Sequence, residues 1–179
     1  MDIEEKVWEV LCSEEEIQQR TRELGEELTR AYQSKNLYVV SLLRGSFIFA
    51  ADLVRRIDLK LKVDFMTSSS YEHAEESSGN VTIIKDITED LTGYDVLVVD
   101  DIADTGLTMS YVMNHLNAKN PNSVKCCVLL DKPTRRKTEL IPDYIGFTIP
   151  DRFVVGYGLN YGDYYRNIPY VFAVTEKNR

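Results

Sequence analysis

Three aspartates and a pair of threonines follow directly on an apolar run in the middle of the chain. The segment Val96–Ser110 reads VLVVDDIADTGLTMS and carries the side chains Asp100, Asp101, Asp104, Thr105 and Thr108. This pattern predicts a buried parallel strand, a short acidic turn and the start of a helix. Such a turn lies where open α/β sheets bind ligands, and the start of a helix favours an anion. Carboxylates beside an anion site are suited to bind hydroxyl groups or a metal ion, or to accept a proton.

The elements that must hold this turn alternate between strands and helices. The capping-box pattern of Ser13 and Glu16 predicts a helix that runs to about Gln33, and a later helix follows Asp104 and ends near Ala118. We also predict a helix at Phe47–Ile57 and strands at Leu37–Leu43, Leu61–Met66, Val81–Ile84, Val96–Val99, Val124–Leu130, Tyr144–Ile149, Phe153–Tyr157 and Tyr170–Val174. The alternation predicts an α/β fold with a twisted, mainly parallel sheet and helices on both faces.

Two polar segments interrupt this alternation. Thr67–Asn80 has no periodicity and is predicted to be a long loop, which in a compact domain is usually functional or mobile. Asp131–Lys137 reads DKPTRRK, in which four of the seven residues are Lys or Arg. We expect Arg135, Arg136 and Lys137 of this basic loop to form a solvated face.

Composition narrows the classes of protein to which the chain can belong. Its 179 residues suit one domain, and 44% hydrophobic and 28% charged residues are typical of a globular protein. A net charge of -8 argues against nucleic acid as the main partner, because phosphate backbones require a basic surface. No apolar run is long enough to cross a bilayer. Cys12, Cys126 and Cys127 form neither a disulfide framework nor a zinc pattern, so we expect a cytoplasmic protein that binds no membrane.

Five motifs of the chain resemble those of type I phosphoribosyltransferases, and in detail those of the hypoxanthine-guanine phosphoribosyltransferase family. They are LLRGS at 42–46, SSSYEHAEESSG at 68–79, VLVVDDIADTGLT at 96–108, LLDKP at 129–133 and IPDRFVVGYGLNYGDYYRNIPY at 149–170. Five motifs in the family's order are far more specific than one. The resemblance implies the type I phosphoribosyltransferase fold. We expect a single domain over 1–179, with a core at about 37–148 and a hood formed by about 1–15 and 149–179.

The resemblance also implies a reaction. In that family, Mg²⁺ supports transfer of 5-phosphoribosyl from phosphoribosyl pyrophosphate to N9 of a 6-oxopurine, hypoxanthine or guanine, which gives the nucleoside monophosphate and pyrophosphate. Family members form homodimers or homotetramers. Adenine and orotate enzymes usually lack a carboxylate at the position of Asp104, but a xanthine-preferring enzyme remains an alternative. A non-catalytic regulator that senses phosphoribosyl pyrophosphate is a second alternative, disfavoured by the acidic balance of the chain.

Roles for the residues of the acidic turn follow from the resemblance. Asp100 and Asp101 are implied to receive the ribose 2′- and 3′-hydroxyls and to lie beside Mg²⁺, and Asp104 is implied to take or hold the proton at purine N7. The 5′-phosphate is implied to bind the turn formed by Thr105, Gly106, Leu107 and Thr108. From the residues alone, a solvated turn or helix N-cap is the alternative for Asp100 and Asp101, and their place between a buried strand and a Thr-Gly pair disfavours it. For Asp104, the alternative is the N-cap of the following helix.

The other motifs supply the rest of the implied site. The residues implied to bind pyrophosphate are Arg44, Gly45 and Arg166, and the Leu43–Arg44 peptide is often cis in the family. Lys132 is implied to donate to the 6-oxo group, Phe153 to stack on the purine and Val154 to meet its edge through the backbone, while Ser70 and Tyr71 belong to a lid. Core packing is the alternative for Phe153, and a surface position is the alternative for Arg44. Asn160 stands where the family usually has an aspartate near a second Mg²⁺, so one negative charge is missing there.

Overall fold

The computed structural model of the protein describes residues 6–70 and 81–176. The helices are α1 (Glu14–Ala31), α2 (Phe47–Val54) and α3 (Leu107–Asn117). The strands are β1 (Lys6–Cys12), β2 (Leu37–Leu43), β3 (Leu61–Ser70), β4 (Val81–Lys85), β5 (Asp95–Ala103), β6 (Ser123–Asp131), β7 (Tyr144–Thr148), β8 (Val154–Val155) and β9 (Val171–Glu176). A short 3-10 helix at Pro133–Arg135 follows β6.

Six strands form a central sheet in the order β4-β3-β2-β5-β6-β7. Every neighbouring pair is parallel except β3 and β4. The apolar centres of β2, β5 and β6 are buried on both faces, as is typical of parallel strands covered by helices. Helices α1 and α2 pack on one face and α3 packs on the other. The predicted fold class is therefore confirmed.

A second, smaller sheet brings the two ends of the described chain together. Its order is β1-β9-β8, and both pairs are antiparallel. We did not predict β1, because its seven residues carry no turn signal before them and only a short apolar alternation. The ring of Trp8 on β1 stacks on Phe172 of β9 with 4.8 Å between centroids. These strands lie in the segments assigned to the hood, and the division into core and hood stays a prediction.

The start of the first helix agrees in detail with its capping pattern. Ser13 is the N-cap of α1, and its side chain accepts a hydrogen bond from the Glu16 amide. The Glu16 carboxylate in turn accepts one from the Ser13 amide at 2.8 Å. The helix is two residues shorter than predicted and ends at Ala31.

The predicted loop Thr67–Asn80 is wrong at its beginning. Strand β3 continues through Ser70 and pairs with β4, so that Thr67 faces Lys85 and Ser70 faces Val81. The polar composition of this segment does not reveal the pairing, because the pairing depends on the partner strand β4 and not on the local sequence. Ser70 therefore lies on a strand, whereas Tyr71 and the rest of the predicted lid fall outside the described residues.

The three cysteines carry free thiols. Cys12, Cys126 and Cys127 are all buried, and burial raises the pKa of the Cys126 thiol to about 11. Thiols of this kind are poor nucleophiles and act as small apolar side chains. Among the described helices, none combines the length and apolar character needed to span a bilayer.

Candidate active site

The first two aspartates lie on a strand and not in a turn. We predicted that the strand ends at Val99, but β5 continues to Ala103 because β6 pairs with it as far as Asp131. On its other side, β5 pairs with β2 only as far as Val99. The backbone at Asp100 and Asp101 is therefore paired with β6 on one side and, beyond Val99, no longer paired with β2 on the other.

The two adjacent carboxylates are partly withdrawn from water. Burial raises the pKa of Asp100 well above its ordinary value, and the negative charge of Asp101 raises it further. Burial also raises the pKa of Asp101, which the guanidinium of Arg166 opposes. Two negative charges in so small a space are unfavourable unless a cation or hydrogen-bond donors join them. The pair is therefore suited to bind a metal ion and hydroxyl groups.

Asp104 does not cap the following helix. The N-cap of α3 is Gly106, which has a φ of 81°, and the helix begins at Leu107. The carboxylate of Asp104 instead accepts a hydrogen bond from Nε of Arg135 at 3.2 Å. The N-cap alternative is therefore wrong, and the side chain of Asp104 lies at the cleft described below.

The basic loop lies directly against the acidic turn. The guanidinium of Arg136 pairs with the carboxylate of Asp131, and its Nη1 donates to the carbonyl oxygen of Asp104 at 2.9 Å. The predicted solvated face is wrong for Arg136, whose side chain is only 11% exposed. Arg135 and Lys137 are exposed as expected. Arg136 is buried because it reaches both the Asp131 carboxylate of its own segment and the carbonyl of Asp104. The second contact is distant in the chain, and the local sequence does not reveal it.

One cleft of about 310 Å³ collects most of the predicted site residues. It is lined by Asp100, Asp101, Ile102, Ala103, Asp104, Thr105, Gly106, Thr108, Met109, Lys132, Phe153, Val154, Leu159 and Asn160. Sequence reasoning missed the apolar members Ile102, Ala103, Met109 and Leu159. Nothing in their residue types distinguishes them from core residues, so no sequence signal could have found them. Leu107, Arg44, Gly45 and Arg166 do not line this cleft.

Two side chains of the cleft have unusual exposure for their types. Lys132 is only 6% exposed, and no carboxylate of the described residues pairs with its ammonium group. Phe153 is 53% exposed and meets Tyr161 edge to face at 5.7 Å, so the core-packing alternative for Phe153 is wrong. Buried lysines are normally paired, and large exposed aromatic faces often contact ligands. Together they provide a cation and an apolar face for one ligand.

Two glycines bring the loop of Arg44 and Gly45 against the acidic pair. A Cβ on Gly45 would lie 1.7 Å from Oδ2 of Asp101, and a Cβ on Gly158 would lie 2.1 Å from the carbonyl oxygen of Gly45. Arg166 donates to the carbonyl of Gly158 at 2.6 Å. The predicted residues Gly45 and Arg166 therefore converge on Asp101, next to the cleft. Arg44 is exposed, and the Leu43–Arg44 peptide is cis.

A magnesium ion would find only part of its ligand shell in the protein. Within residues 6–70 and 81–176, no group of three His, Cys, Asp or Glu side chains is placed to hold a metal ion. Asp100 and Asp101 offer carboxylate oxygens, and Asn160 lines the same cleft, with its amide nitrogen bonded to the carbonyl of Gly162 at 2.5 Å. This oxygen-donor set fits Mg²⁺ when substrate and water oxygens complete the shell.

Known proteins share this fold and sequence over almost the whole chain. Residues 8–162 match the phosphoribosyl transferase domain family. The chain is 49% identical over 170 residues to hypoxanthine phosphoribosyltransferase of Buchnera aphidicola subsp. Schizaphis graminum, covering 94% of this chain and 96% of that protein. It is 46% identical over 176 residues to hypoxanthine-guanine phosphoribosyltransferase of Aquifex aeolicus, covering 98% and 99%. A crystal structure of hypoxanthine phosphoribosyltransferase from Staphylococcus aureus superposes with a TM-score of 0.89 at 47% identity, covering 93% and 91%.

A mainly parallel sheet with an acidic cleft at its carboxyl edge, together with these matches, defines a phosphoribosyltransferase. Within that class, the chain belongs to the hypoxanthine-guanine phosphoribosyltransferase family. The resemblance inferred from the five motifs is confirmed. The protein is therefore a glycosyltransferase, and its family transfers phosphoribosyl groups in purine salvage.

Proposed function

We propose that the protein transfers the 5-phosphoribosyl group of phosphoribosyl pyrophosphate to N9 of hypoxanthine or guanine, with Mg²⁺ as cofactor. The products are inosine or guanosine monophosphate and pyrophosphate. The observation that carries the proposal is that one cleft collects an acidic pair, a turn that leads into a helix, a buried lysine that no carboxylate of the described residues pairs with, and an exposed aromatic ring. Each of these features matches one part of the two substrates.

The turn at the start of α3 suits the 5′-phosphate. Among the described residues, no protein acceptor takes the N–H groups of Thr105 and Gly106. Free N–H groups at a helix start, with the hydroxyls of Thr105 and Thr108 beside them, favour a phosphate. Asp100 and Asp101 then lie on the ribose side, where ionised carboxylates accept hydrogen bonds from the 2′- and 3′-hydroxyls.

The pyrophosphate group is assigned to the loop beside Asp101. Gly45 lies against the Asp101 carboxylate, and the guanidinium of Arg166 is close enough to lower the pKa of that carboxyl. An arginine fork and a bare backbone fit a pyrophosphate, and Arg44 adds a cation from the same loop. Mg²⁺ held by Asp100 and Asp101 would neutralise charge on the leaving group.

The purine is assigned to the other end of the cleft. The ammonium of Lys132, on a side chain in the wall of the cleft, donates to the 6-oxo group, and this donor favours a 6-oxopurine over adenine, whose 6-amino group is itself a donor. The exposed ring of Phe153 stacks on the base, and the backbone of Val154 meets its edge. Hypoxanthine, guanine and xanthine differ at C2 of the purine, and the side chains of the cleft do not show which of them is preferred. A preference for xanthine is therefore the alternative that the assay below tests.

The chemical step follows from this placement. N9 of the purine bonds to C1′, while the C1′–O bond to pyrophosphate breaks and its electron pair leaves with the pyrophosphate. C1′ gains oxocarbenium character, and the purine gains positive charge. Asp104 takes or holds the N7 proton as this charge develops. Its contact with Arg135 at 3.2 Å holds the carboxylate at the mouth of the cleft.

We also propose a compartment and an oligomeric state. We place the enzyme in the cytoplasm as a homodimer or homotetramer, without nucleic acid or membrane as partner. Free buried thiols support the reducing compartment, and the net charge of -8 supports the absence of nucleic acid.

Release of pyrophosphate with different purines tests the proposal. Purified enzyme is given phosphoribosyl pyrophosphate and Mg²⁺ with hypoxanthine, guanine, xanthine or adenine, and reactions without purine or Mg²⁺ serve as controls. Turnover with hypoxanthine and guanine, lost without Mg²⁺, is expected. A higher kcat/KM with xanthine would favour the alternative substrate, and no turnover with any purine would contradict the proposed reaction.

A further inference from the structure

The basic loop binds three successive carbonyl groups at the point where β5 ends and the turn before α3 begins. The amide of Lys132 donates to the carbonyl of Ala103 at 2.9 Å, and the amide of Lys137 donates to that of Thr105 at 2.8 Å. Between them, Nη1 of Arg136 donates to the carbonyl of Asp104 at 2.9 Å. The middle contact is the only one of these three that depends on a side chain.

The direction of these carbonyls decides the direction of the turn's N–H groups. In a trans peptide, the C=O of one residue and the N–H of the next point to opposite sides. With the carbonyl of Asp104 held on the side of the basic loop, the N–H of Thr105 points away from that loop. In the part of the chain that the structure describes, no protein acceptor takes that N–H, and Thr105 lines the cleft.

Arg136 is itself anchored by a buried ion pair. The side chain of Asp131 is 7% exposed and that of Arg136 is 11% exposed. Removing two charges from water offsets most of their attraction, so a buried pair is weak evidence of a contribution to stability. Asp131 and Ala103 are paired across β6 and β5, so the guanidinium spans the ends of both strands. The ion pair therefore contributes mainly to the orientation of the Arg136 guanidinium and less to the stability of the fold.

We propose that Arg136, held in place by Asp131, is a positioning residue that orients the Asp104–Thr105 peptide so that the Thr105 N–H donates to the 5′-phosphate. The inference rests on the proposed reaction, because it names phosphoribosyl pyrophosphate as the anion. Arg136 does not touch the substrate. It acts through the peptide that it holds.

Two variants separate this role from a contribution to folding. Asp131→Val with Arg136→Met replaces the ion pair by apolar side chains, a change that buried pairs often tolerate without loss of stability. Arg136→Lys keeps a positive charge for Asp131 but lacks the fork needed to reach both partners. For each variant, the KM for phosphoribosyl pyrophosphate, the KM for hypoxanthine, kcat and the thermal midpoint are measured.

The expected result is a selective loss of affinity for phosphoribosyl pyrophosphate. Its KM rises between about tenfold and about a hundredfold, as the loss of one hydrogen bond to a charged group predicts, whereas the KM for hypoxanthine changes much less. The thermal midpoint of Arg136→Lys stays close to that of the wild type. If the double variant does not fold, Arg136→Lys alone decides the question.

Arg20→Met is the matched control. Arg20 donates to the carbonyls of Gly146 and Ile145 at 3.1 and 2.7 Å, a similar contact made away from the cleft. Its KM values should equal those of the wild type. A wild-type KM for phosphoribosyl pyrophosphate in folded Arg136→Lys, or an equal rise in Arg20→Met, would overturn the inference. Wild-type enzyme that releases no pyrophosphate would instead contradict the proposed reaction.

Discussion

The end of β5 and the basic loop both line the cleft, but they are held in place in different ways. Asp100 and Asp101 lie on β5, where backbone pairing with β6 fixes them through the end of the strand. The basic loop has only a short 3-10 helix. Two of its backbone amides donate to carbonyls at the end of β5 and in the turn after it, and its Arg135 pairs with Asp104 and Asp151. In the proposed reaction, the carboxylates beside the reacting carbon therefore lie on the rigid side of the site, the paired strand β5. The cations assigned to the purine and to the turn come from a loop that has no strand pairing.

The largest expected effect tests whether Asp104 does chemistry or only binds the basic loop. Asp104→Asn keeps the size of the side chain but removes the proton acceptor, so kcat should fall between about a hundredfold and about ten thousandfold. The KM for phosphoribosyl pyrophosphate should change little. Asp151→Asn, at the other contact of Arg135, is the control and should keep kcat. Equal kcat values in wild type and Asp104→Asn would remove Asp104 as the base.

A substitution against the loop that borders the rigid side of the site comes next. Gly158→Ala should lower kcat/KM for phosphoribosyl pyrophosphate more than tenfold, because its Cβ would lie 2.1 Å from the Gly45 carbonyl oxygen and displace the loop of Arg44 and Gly45. Gly162→Ala is matched, since both glycines have positive φ but nothing lies within 4 Å of a Cβ at Gly162. Gly162→Ala, at a φ of 58°, carries a backbone strain of roughly 1 kcal/mol, and thermal unfolding measures the larger strain expected at the φ of 103° of Gly158. Similar kinetics in the two variants would show that close approach at Gly158 is unimportant.

A third substitution tests the purine end of the basic loop. Lys132→Ala should raise the KM for hypoxanthine between about tenfold and a hundredfold, because a hydrogen bond from a charged donor is lost. Lys137→Ala, exposed in the same loop, should leave it unchanged. Steady-state kinetics with hypoxanthine and adenine measure both. A wild-type enzyme that uses adenine as well as hypoxanthine would refute the selective role of Lys132.

The smallest expected effect concerns stability at the rigid side. Because burial and the neighbouring charge raise the pKa of Asp100, the folded protein resists ionisation of this carboxyl more than the unfolded chain does. Stability is therefore lost as pH rises from the ordinary pKa through the raised one. At pH 7 without Mg²⁺, Asp100→Asn should melt about 2 to 4 °C above the wild type, although it loses activity.

Two measurements control this stability prediction. The difference in melting temperature should shrink at pH 4, where the Asp100 carboxyl of the wild type is already protonated. It should also shrink when Mg²⁺ and phosphoribosyl pyrophosphate bind the wild type. Asp58→Asn, which removes an exposed carboxylate, should leave the melting temperature unchanged. A lower melting temperature for Asp100→Asn at pH 7 would contradict the stated cause.

Features carried by local pattern could be predicted from the sequence. The bounds of β2 agree at both ends because an apolar run is bordered by turn residues, and the capping box marks the start of α1. The five motifs also named Lys132, Phe153 and the acidic pair, which the fold brings to one cleft. Their roles in binding and catalysis stay predictions.

Features that depend on distant partners could not be predicted. The extension of β5 through Asp101 depends on pairing with β6, which the carboxylates themselves do not indicate. Arg136 is partly buried by a distant partner, the carbonyl of Asp104, as well as by Asp131 in its own segment, so a run of cations alone favours a solvated face. The extension of β3 through Ser70 likewise depends on its partner β4. Tertiary contacts override local composition in each case.

The most direct test of the account is a crystal structure of the enzyme with phosphoribosyl pyrophosphate, Mg²⁺ and a hypoxanthine analogue in which carbon replaces N9. We expect a 5′-phosphate oxygen at about 3 Å from the amide nitrogens of Thr105 and Gly106. We also expect the 6-oxo group within hydrogen-bond distance of Nζ of Lys132 and the base stacked on Phe153. A phosphate bound away from this turn, or a base that does not reach Lys132, would contradict the account.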